Sequence, residues 1–419
     1  MSTTSLRETS TLPAIHPGLQ KIITEKGWKD LSPIQRAAIP IILNGDDCIV
    51  EAPTAGGKTE AVLFPVLTHI AHRKKSSVQI LYLAPLRALL NDIELRAEAY
   101  AKACGLHSFK WHGDVSQKEK LDELRNPSQL LLTTPESLEA ILLRKAGWHC
   151  FFADLDVIII DESHNFASGD RGAHLISLLS RLEKSIHRNP QRIAVTATIG
   201  NPEQMLEWLA GTDRKTGKRI HVNSIIEKEK DFEILFFDER NNLDEQPETF
   251  ASYRQFKSLY QLLPLKKSIV FGGSRTNTES LASAINQMNN VKGSKNSVKV
   301  RTHHSAVSKY YREEAENLIK LRDSIESGLE AIISTSTLEL GIDVGELDQV
   351  VQIGALSSSS AFLQRVGRTG RRLNKSQFFR GLCTSEEDLI LLSAVVSLGQ
   401  KGISETIHFP TKAFHLLAH

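Results

Sequence analysis

Between Ala52 and Thr59 the chain reads "APTAGGKT", a run of small residues ending in Lys-Thr. A short apolar stretch precedes it and a helix-like stretch follows. Small residues let backbone N–H groups turn inward around a phosphate, and the N-terminus of the following helix adds its dipole. At this spacing Lys58 reaches the β- and γ-phosphates of a nucleotide and Thr59 offers its hydroxyl to Mg²⁺. The pattern is a P-loop with Ala52 in the first glycine's place. A Gly-rich turn with a surface lysine is the plain alternative, and the strand before and helix after count against it.

Such a loop needs a second carboxylate for the metal and a base for the attacking water. "DVIIIDESHNF" supplies both at the C-terminal end of an apolar run: Asp161 for Mg²⁺ and Glu162 to polarise water. Alone, an acidic pair after a strand is commonly a cap; after a P-loop it reads as chemistry. His164 reads equally as an ordinary surface histidine. Positive charge is also required beyond the γ-phosphate. "QRVGRTGRR" places Arg365, Arg368 and Arg371 three apart, which on a helix would share one face. Two glycines in that run make a merely solvated basic helix a poor reading.

The elements that must hold these groups are visible as continuous apolar runs. "DCIVEA", "VQILYLAP", "SQLLLTTP", "DVIIID" and "RIAVTAT" read as five buried strands. Unbroken rather than alternating hydrophobicity suits a parallel sheet covered on both faces. "SPIQRAAIPIILNG" reads as a helix with Ser32 as N-cap, Pro33 in its first turn and Gly45 past its end. The charge-rich stretch 227–250, with one strand-like run "FEILFF", reads as the entry to a second unit. That unit has strands at "SIVFGGS", "SVKVRTHHS", "EAIISTS", "QVVQIG" and "FRGLCTS". The predicted class is α/β, with two tandem open units built from parallel sheets and flanking helices. The expected division is 1–226, 227–385, and from 386 to 419 the start of a truncated helical extension.

A length of 419 residues fits two or more domains. With 41% hydrophobic and 24% charged residues the composition is that of a globular protein. No apolar run approaches the ~18 residues of a membrane span, and the polar N-terminus lacks a signal-like apolar stretch. Cys48, Cys104, Cys150 and Cys383 lie far apart without metal-site spacing, which fits free buried thiols in a reducing cytoplasm. A net charge of +2 neither demands nor excludes a nucleic-acid partner.

Taken together the motifs resemble those of the superfamily 2 DEAD/DEAH-box helicases, over roughly residues 16–400. "SPIQRAAIP" resembles the Q motif, "APTAGGKT" motif I, "APLRALLND" motif Ia, "TTPES" motif Ib, "DESH" motif II and "TAT" motif III. "IVFGGSR", "STSTLELGID" and "QRVGRTGR" resemble motifs IV, V and VI. "HPGL", "APLRAL", "HHSAVSKYYREEAE" and "STSTLELGIDVGELDQVVQIG" look most like the large helicase-related (Lhr) group.

That resemblance implies two RecA-like domains with ATP and Mg²⁺ in the cleft between them. Gln35 would read the adenine, and Pro53, Thr54, Ala55, Gly56, Gly57, Lys58 and Thr59 would hold the phosphates, with Thr59 and Asp161 on the metal. Gly341 and Asp343 would complete the nucleotide site, Gln364 would sit near the γ-phosphate, and Arg368 and Arg371 would act as arginine fingers. Thr196, Thr198 and His164 would couple nucleotide state to strand grip. The strand would touch Pro85, Arg87, Gly113, Asp114, Thr134 and Pro135 in the first domain and Ser274, Arg275, His304 and Thr335 in the second. Trp28 and Trp111 read as core or rim residues before base-stacking ones. The expected activity is ATP-dependent 3′→5′ translocation on single-stranded or tailed nucleic acid, DNA before RNA. A winged-helix region or a protein partner would complete the duplex-opening machinery. An RNA remodeller and a nucleotide-controlled scaffold are the competing readings; two strand-binding surfaces argue against the scaffold.

Overall fold

The computed structural model describes residues 15–28, 30–53, 56–144, 147–211, 214–221, 230–238, 250–264, 266–290, 297–320, 329–339, 345, 347–370 and 376–410. Every apolar run named above becomes a strand. In the first half these are β1 (Cys48–Glu51), β2 (Ile80–Leu83), β3 (Ser108–Trp111), β4 (Leu130–Thr133), β5 (Val157–Ile160), β6 (Gln191–Thr196) and β7 (Lys218–His221). They form one sheet in the order β3-β4-β2-β5-β6-β1-β7, with every pair parallel. The runs that read as continuous hydrophobics are buried along their whole length, as in β4 and β5. Helices on both faces explain this, and two apolar clusters lie on opposite sides of the sheet. The strands β3 and β7 were not legible. Both are edges, and "SFKW" and "KRIH" carry polar side chains toward water.

The second sheet is built from β8 (Lys230–Phe236), β9 (Ser268–Phe271), β10 (Val300–His303), β11 (Ala331–Ser334), β12 (Gln349–Ile353) and β13 (Gln377–Cys383). Its order is β10-β11-β9-β12-β13-β8, again all parallel. The helix Glu386–Gln400 was expected to begin an extension. It instead carries Leu392, Val395 and Val396 into the second core. Residues 401–410 then run without helix or strand.

Parallel order puts all strand C-termini of a sheet at one edge, where ligand sites of open α/β sheets form. β1 ends at the P-loop, β5 at Asp161 and β6 at Thr196, with Ile160 opposite Ala194 and Glu51 opposite Thr196. The helix Pro33–Leu43 starts as read: Gln35 Oε1 accepts from the Ser32 N–H at 2.9 Å. Cys48, Cys104 and Cys383 are buried, and burial pushes the Cys383 thiol up to about 11. Cys150 is exposed, against expectation. Among the described residues no helix is long and apolar enough to cross a membrane.

Candidate active site and nucleic-acid cleft

The helix Lys58–Ala71 begins after Gly57, whose φ of 83° is left-handed. A Cβ there would also lie 2.7 Å from Gln35 Nε2, so glycine is required both by backbone and by space. The Gln35 side chain donates to the Gly57 carbonyl at 3.3 Å, and Ser32 Oγ donates to the Gly56 carbonyl at 3.3 Å. The Q-motif helix is thereby fixed against the P-loop. Lys58 Nζ donates to the Ala52 carbonyl at 2.9 Å and to the Thr196 carbonyl at 3.2 Å. It links the loop to the end of β6.

Asp161 is buried, with Oδ2 accepting from the Tyr82 hydroxyl at 2.7 Å and Oδ1 from the Glu162 N–H at 2.9 Å. Burial, then the neighbouring Glu162 charge, lifts its carboxyl to about 6. A hard divalent cation would relieve that repulsion, and the Thr59 hydroxyl lines the same pocket. Asp161 and Thr59 thus fit a Mg²⁺ site. Glu162 has a φ of 45°. A non-glycine residue in this region stores strain and is typical of functional sites. Burial works against its charge, but the positive charges of Lys58 and Arg368 outweigh it and hold Glu162 below the usual carboxylate range. It is therefore ionised, as a water-orienting group must be.

The second domain meets this centre directly. Gln364 Nε2 lies 2.7 Å from His164 Nε2, and His164 Nδ1 lies 3.1 Å from Thr196 Oγ1. The Asn165 amide also faces His164 Nε2, at 3.0 Å. Two amide donors on Nε2 make it the acceptor and leave the proton on Nδ1, facing Thr196. Burial pushes the His164 pKa down, consistent with a neutral ring. His164 is thus no free surface histidine. Thr198 is half-buried two residues beyond Thr196.

Arg368 is 1% exposed, donates to the Glu339 carbonyl at 2.8 Å, and lines the pocket with Lys58, Asp161 and Glu162. Among the described residues, Arg365 and Arg368 do not share the single helical face expected. The helix Ser359–Val366 closes at Gly367, and Arg368 lies beyond it. Arg365 turns inward instead, pairing with Glu339 at 2.6 Å and stacking 4.2 Å from the Phe271 ring. Arg368 follows the last helical residue, Val366, and its C-cap, so its direction is not set by the helix face. Pro53 is exposed, and Thr54, Ala55, Gly341, Asp343 and Arg371 lie outside the described residues. The pocket, about 500 Å³, also takes in Trp28 and Arg96. Trp28 packs on the first core beside Phe64, and Trp111 is buried. Tyr82, Glu60 and Arg96 were not singled out from sequence. Tyr82 sat inside an apolar run, and only the β2–β5 pairing shows that it faces Asp161.

A second cleft of about 780 Å³ spans both domains. The first domain contributes Pro85, Arg87, Gly113, Asp114 and Thr134; the second contributes His303, Lys309, Arg312 and Thr337. Arg87 pairs with Asp114 at 3.0 Å, both exposed. Pro135 starts the helix that follows Thr134. Ser274 caps the helix Arg275–Asn289 and Arg275 is exposed, but neither lines this cleft. His304 is buried with its ring 2.6 Å from Glu279; His303 borders the cleft but is itself buried, with its ring held between Thr337 and Glu316. Thr335 is half-buried, 3.5 Å from Thr337 Oγ1. Lys309 and Arg312 sit three apart on the helix Lys309–Lys320. That spacing was available in "SKYYREE" as a signal for one shared face. A larger cavity of about 910 Å³ lies at the opposite, N-terminal edge of the first sheet, around Asp47, Arg192 and Lys218. It holds none of the motif residues.

Residues 32–206 match the DEAD/DEAH box helicase family, and residues 254–372 match the helicase conserved C-terminal domain. The two matches together account for most of the chain, and the protein belongs to the DEAD/DEAH box helicases. Within that class it is similar to the ATP-dependent helicase Lhr-Core of Methanocaldococcus jannaschii, with 29% identity over 96% of this chain and 48% of the relative. It is also 29% identical to the Lhr helicase/probable uracil glycosylase of Mycolicibacterium smegmatis, over 92% of this chain and 28% of the relative. The solved Mycobacterium smegmatis helicase Lhr bound to ssDNA and AMP-PNP superposes with a TM-score of 0.82 at 28% identity, covering 97% of this chain and 52% of that one. The chain spans about half the length of the Lhr-Core relatives it matches. The expected pair of RecA-like domains is thus the observed fold.

Proposed function

We propose that these residues form an ATP-hydrolysing motor acting on single-stranded nucleic acid, DNA before RNA, in the 3′→5′ direction. The observation that carries the reading is the meeting of Gln364 and Arg368 from one domain with His164 and Glu162 from the other, beside the P-loop. A hydrolysis centre completed only by domain closure converts nucleotide state into domain motion. The preference for DNA rests on the Lhr helicase solved with ssDNA, and the direction on resemblance to that group.

Lys58 and the backbone of 53–57 hold the phosphates, Glu162 orients the attacking water, and Arg368, with Arg371, neutralises charge developing on the γ-phosphate. Thr59 and Asp161 would hold Mg²⁺, which would supply further neutralisation of that charge. Thr196, Thr198 and His164 relay closure toward the strand. The strand's phosphates run over Pro85, Arg87, Gly113, Asp114, Thr134 and Pro135, cross to Lys309 and Arg312, and extend toward Ser274, Arg275 and Thr335.

The test is ATPase rate with single-stranded DNA, single-stranded RNA and blunt duplexes as stimulators, alongside Glu162→Gln. Stimulation by single strands, DNA foremost, and its loss in Glu162→Gln are expected. Equal rates with every polymer would contradict the reading.

A further inference from the structure

The segment after the second domain's last helix returns to touch both domains at once. Ser359 Oγ donates to the Ile403 carbonyl at 2.7 Å. The Glu405 carboxylate accepts from the Ser359 N–H, from the Ser360 N–H at 3.2 Å and from Ser360 Oγ at 3.1 Å. These groups form the first turn of the helix that carries Gln364 and ends just before Arg368. A carboxylate there satisfies orphan N–H groups and complements the helix dipole.

The same few residues also grip the first domain, just past Thr196 and Thr198. The Glu405 carbonyl accepts from the Gly200 N–H at 3.1 Å. The Asn201 side chain pairs twice with Ile407, donating to its carbonyl at 2.8 Å and accepting from its N–H at 2.7 Å. Ile407 and Phe409 pack on the first domain's core, with the Phe409 ring 6.4 Å from Trp208. The fit is close: a Cβ on Gly200 would meet the Ser404 carbonyl oxygen at 2.6 Å.

We propose that residues 403–409 are an interdomain strap, with Glu405 a positioning residue that holds the Gln364 helix in register with the loop after β6. Glu405 touches no reacting atom. Its side chain fixes one domain and its main chain the other, so a single residue sets the spacing between the two halves of the hydrolysis centre. When the cleft opens, either the Glu405 clasp or the Gly200 and Asn201 contacts must release.

The idea rests on the motor reading, and two measurements separate their failures. In the full chain, Glu405→Ala is expected to lower strand-stimulated turnover about tenfold, as loss of a hydrogen bond to a charged group would, with ATP KM changed less than about twofold. Glu405→Gln keeps an acceptor oxygen for the helix N–H groups and should restore most of it. Asn201→Asp, which sets a carboxylate against the Ile407 carbonyl, should act in the same direction through the other grip. Amide hydrogen exchange at Gly200 and Ile407, measured with a non-hydrolysable ATP analogue, should be slow in the wild type and faster in Glu405→Ala. Faster exchange in a protein whose wild type shows no strand stimulation would support the strap while sinking the motor reading. Wild-type stimulated turnover in both Glu405→Ala and Asn201→Asp would overturn the strap.

Discussion

Gln364 of the second domain and His164 of the first lie Nε2 to Nε2, 2.7 Å apart, across the interdomain cleft. His164 in turn faces Thr196 through Nδ1. A chain of three side chains therefore connects the arginine-bearing end of one domain to the end of β6 in the other. Because the contact exists only when the domains meet, its energy belongs to closure. Gln364→Ala should lower strand-stimulated turnover about fivefold, the scale of one hydrogen bond. In a double-mutant cycle with His164→Ala the two losses should overlap by at least about 0.5 kcal/mol. Strict additivity would show that the contact transmits nothing.

Arg365 and Arg368 of "QRVGRTGRR" should fail in different ways. Arg368 faces Glu162 and the P-loop, so Arg368→Ala should cut kcat by roughly 10³-fold while ATP binding persists. Arg365 is tied to Glu339 inside the second domain. Arg365→Ala should destabilise that domain by on the order of 3 kcal/mol, as when one partner of a buried pair is lost. Steady-state kinetics and thermal unfolding separate the two. A kinetic defect without destabilisation in Arg365→Ala would reverse their roles.

The interdomain cleft should bind phosphates through Arg87 and Arg312. Each contact removed should reduce the slope of log affinity against log salt by about 0.7 for a single strand. The exposed Arg87–Asp114 pair contributes little to folding, so Arg87→Ala should leave the melting temperature unchanged. Arg275 faces solvent outside the cleft; an equal slope change in Arg275→Ala would extend the strand path past β9. An unaltered slope in all three would remove the cleft from the binding surface.

Glu123 offers a pH signature unconnected with catalysis. Burial lifts its carboxyl to about 7, although the Ser128 N–H and hydroxyl both donate to it. The folded pKa exceeds the unfolded one, so the folded state binds the proton more tightly. Its stabilising contribution is full below the unfolded value and is lost as pH rises through about 7. Glu123→Gln should flatten the dependence of melting temperature on pH between about 5 and 8. A profile as steep as the wild type's would contradict the assignment.

Most of this architecture could be read from residues alone because buried parallel strands announce themselves as unbroken apolar runs. The ends of those runs already carried Lys58, Asp161 and Thr196. What escaped were polar edges, β3 and β7, whose pairing depends on neighbours rather than on their own residues. Tyr82 escaped for a related reason: a hydroxyl inside "ILYL" looks like core until β2 is laid beside β5. The arginine spacing misled, because a helix broken at Gly367 sends Arg365 and Arg368 to different places. The Glu405 clasp joins residues more than forty positions apart, and no local pattern could announce it.

Two grips on one strand, one in each domain, should tie nucleotide turnover to the strand that is bound. The direct measurement is ATPase rate against the length of single-stranded DNA, repeated with RNA. The rate should climb with length until both sides of the cleft are filled and then stay constant, with DNA at least as effective as RNA. A rate indifferent to length with every strand offered would contradict that coupling and leave nucleotide-controlled scaffolding as the better description.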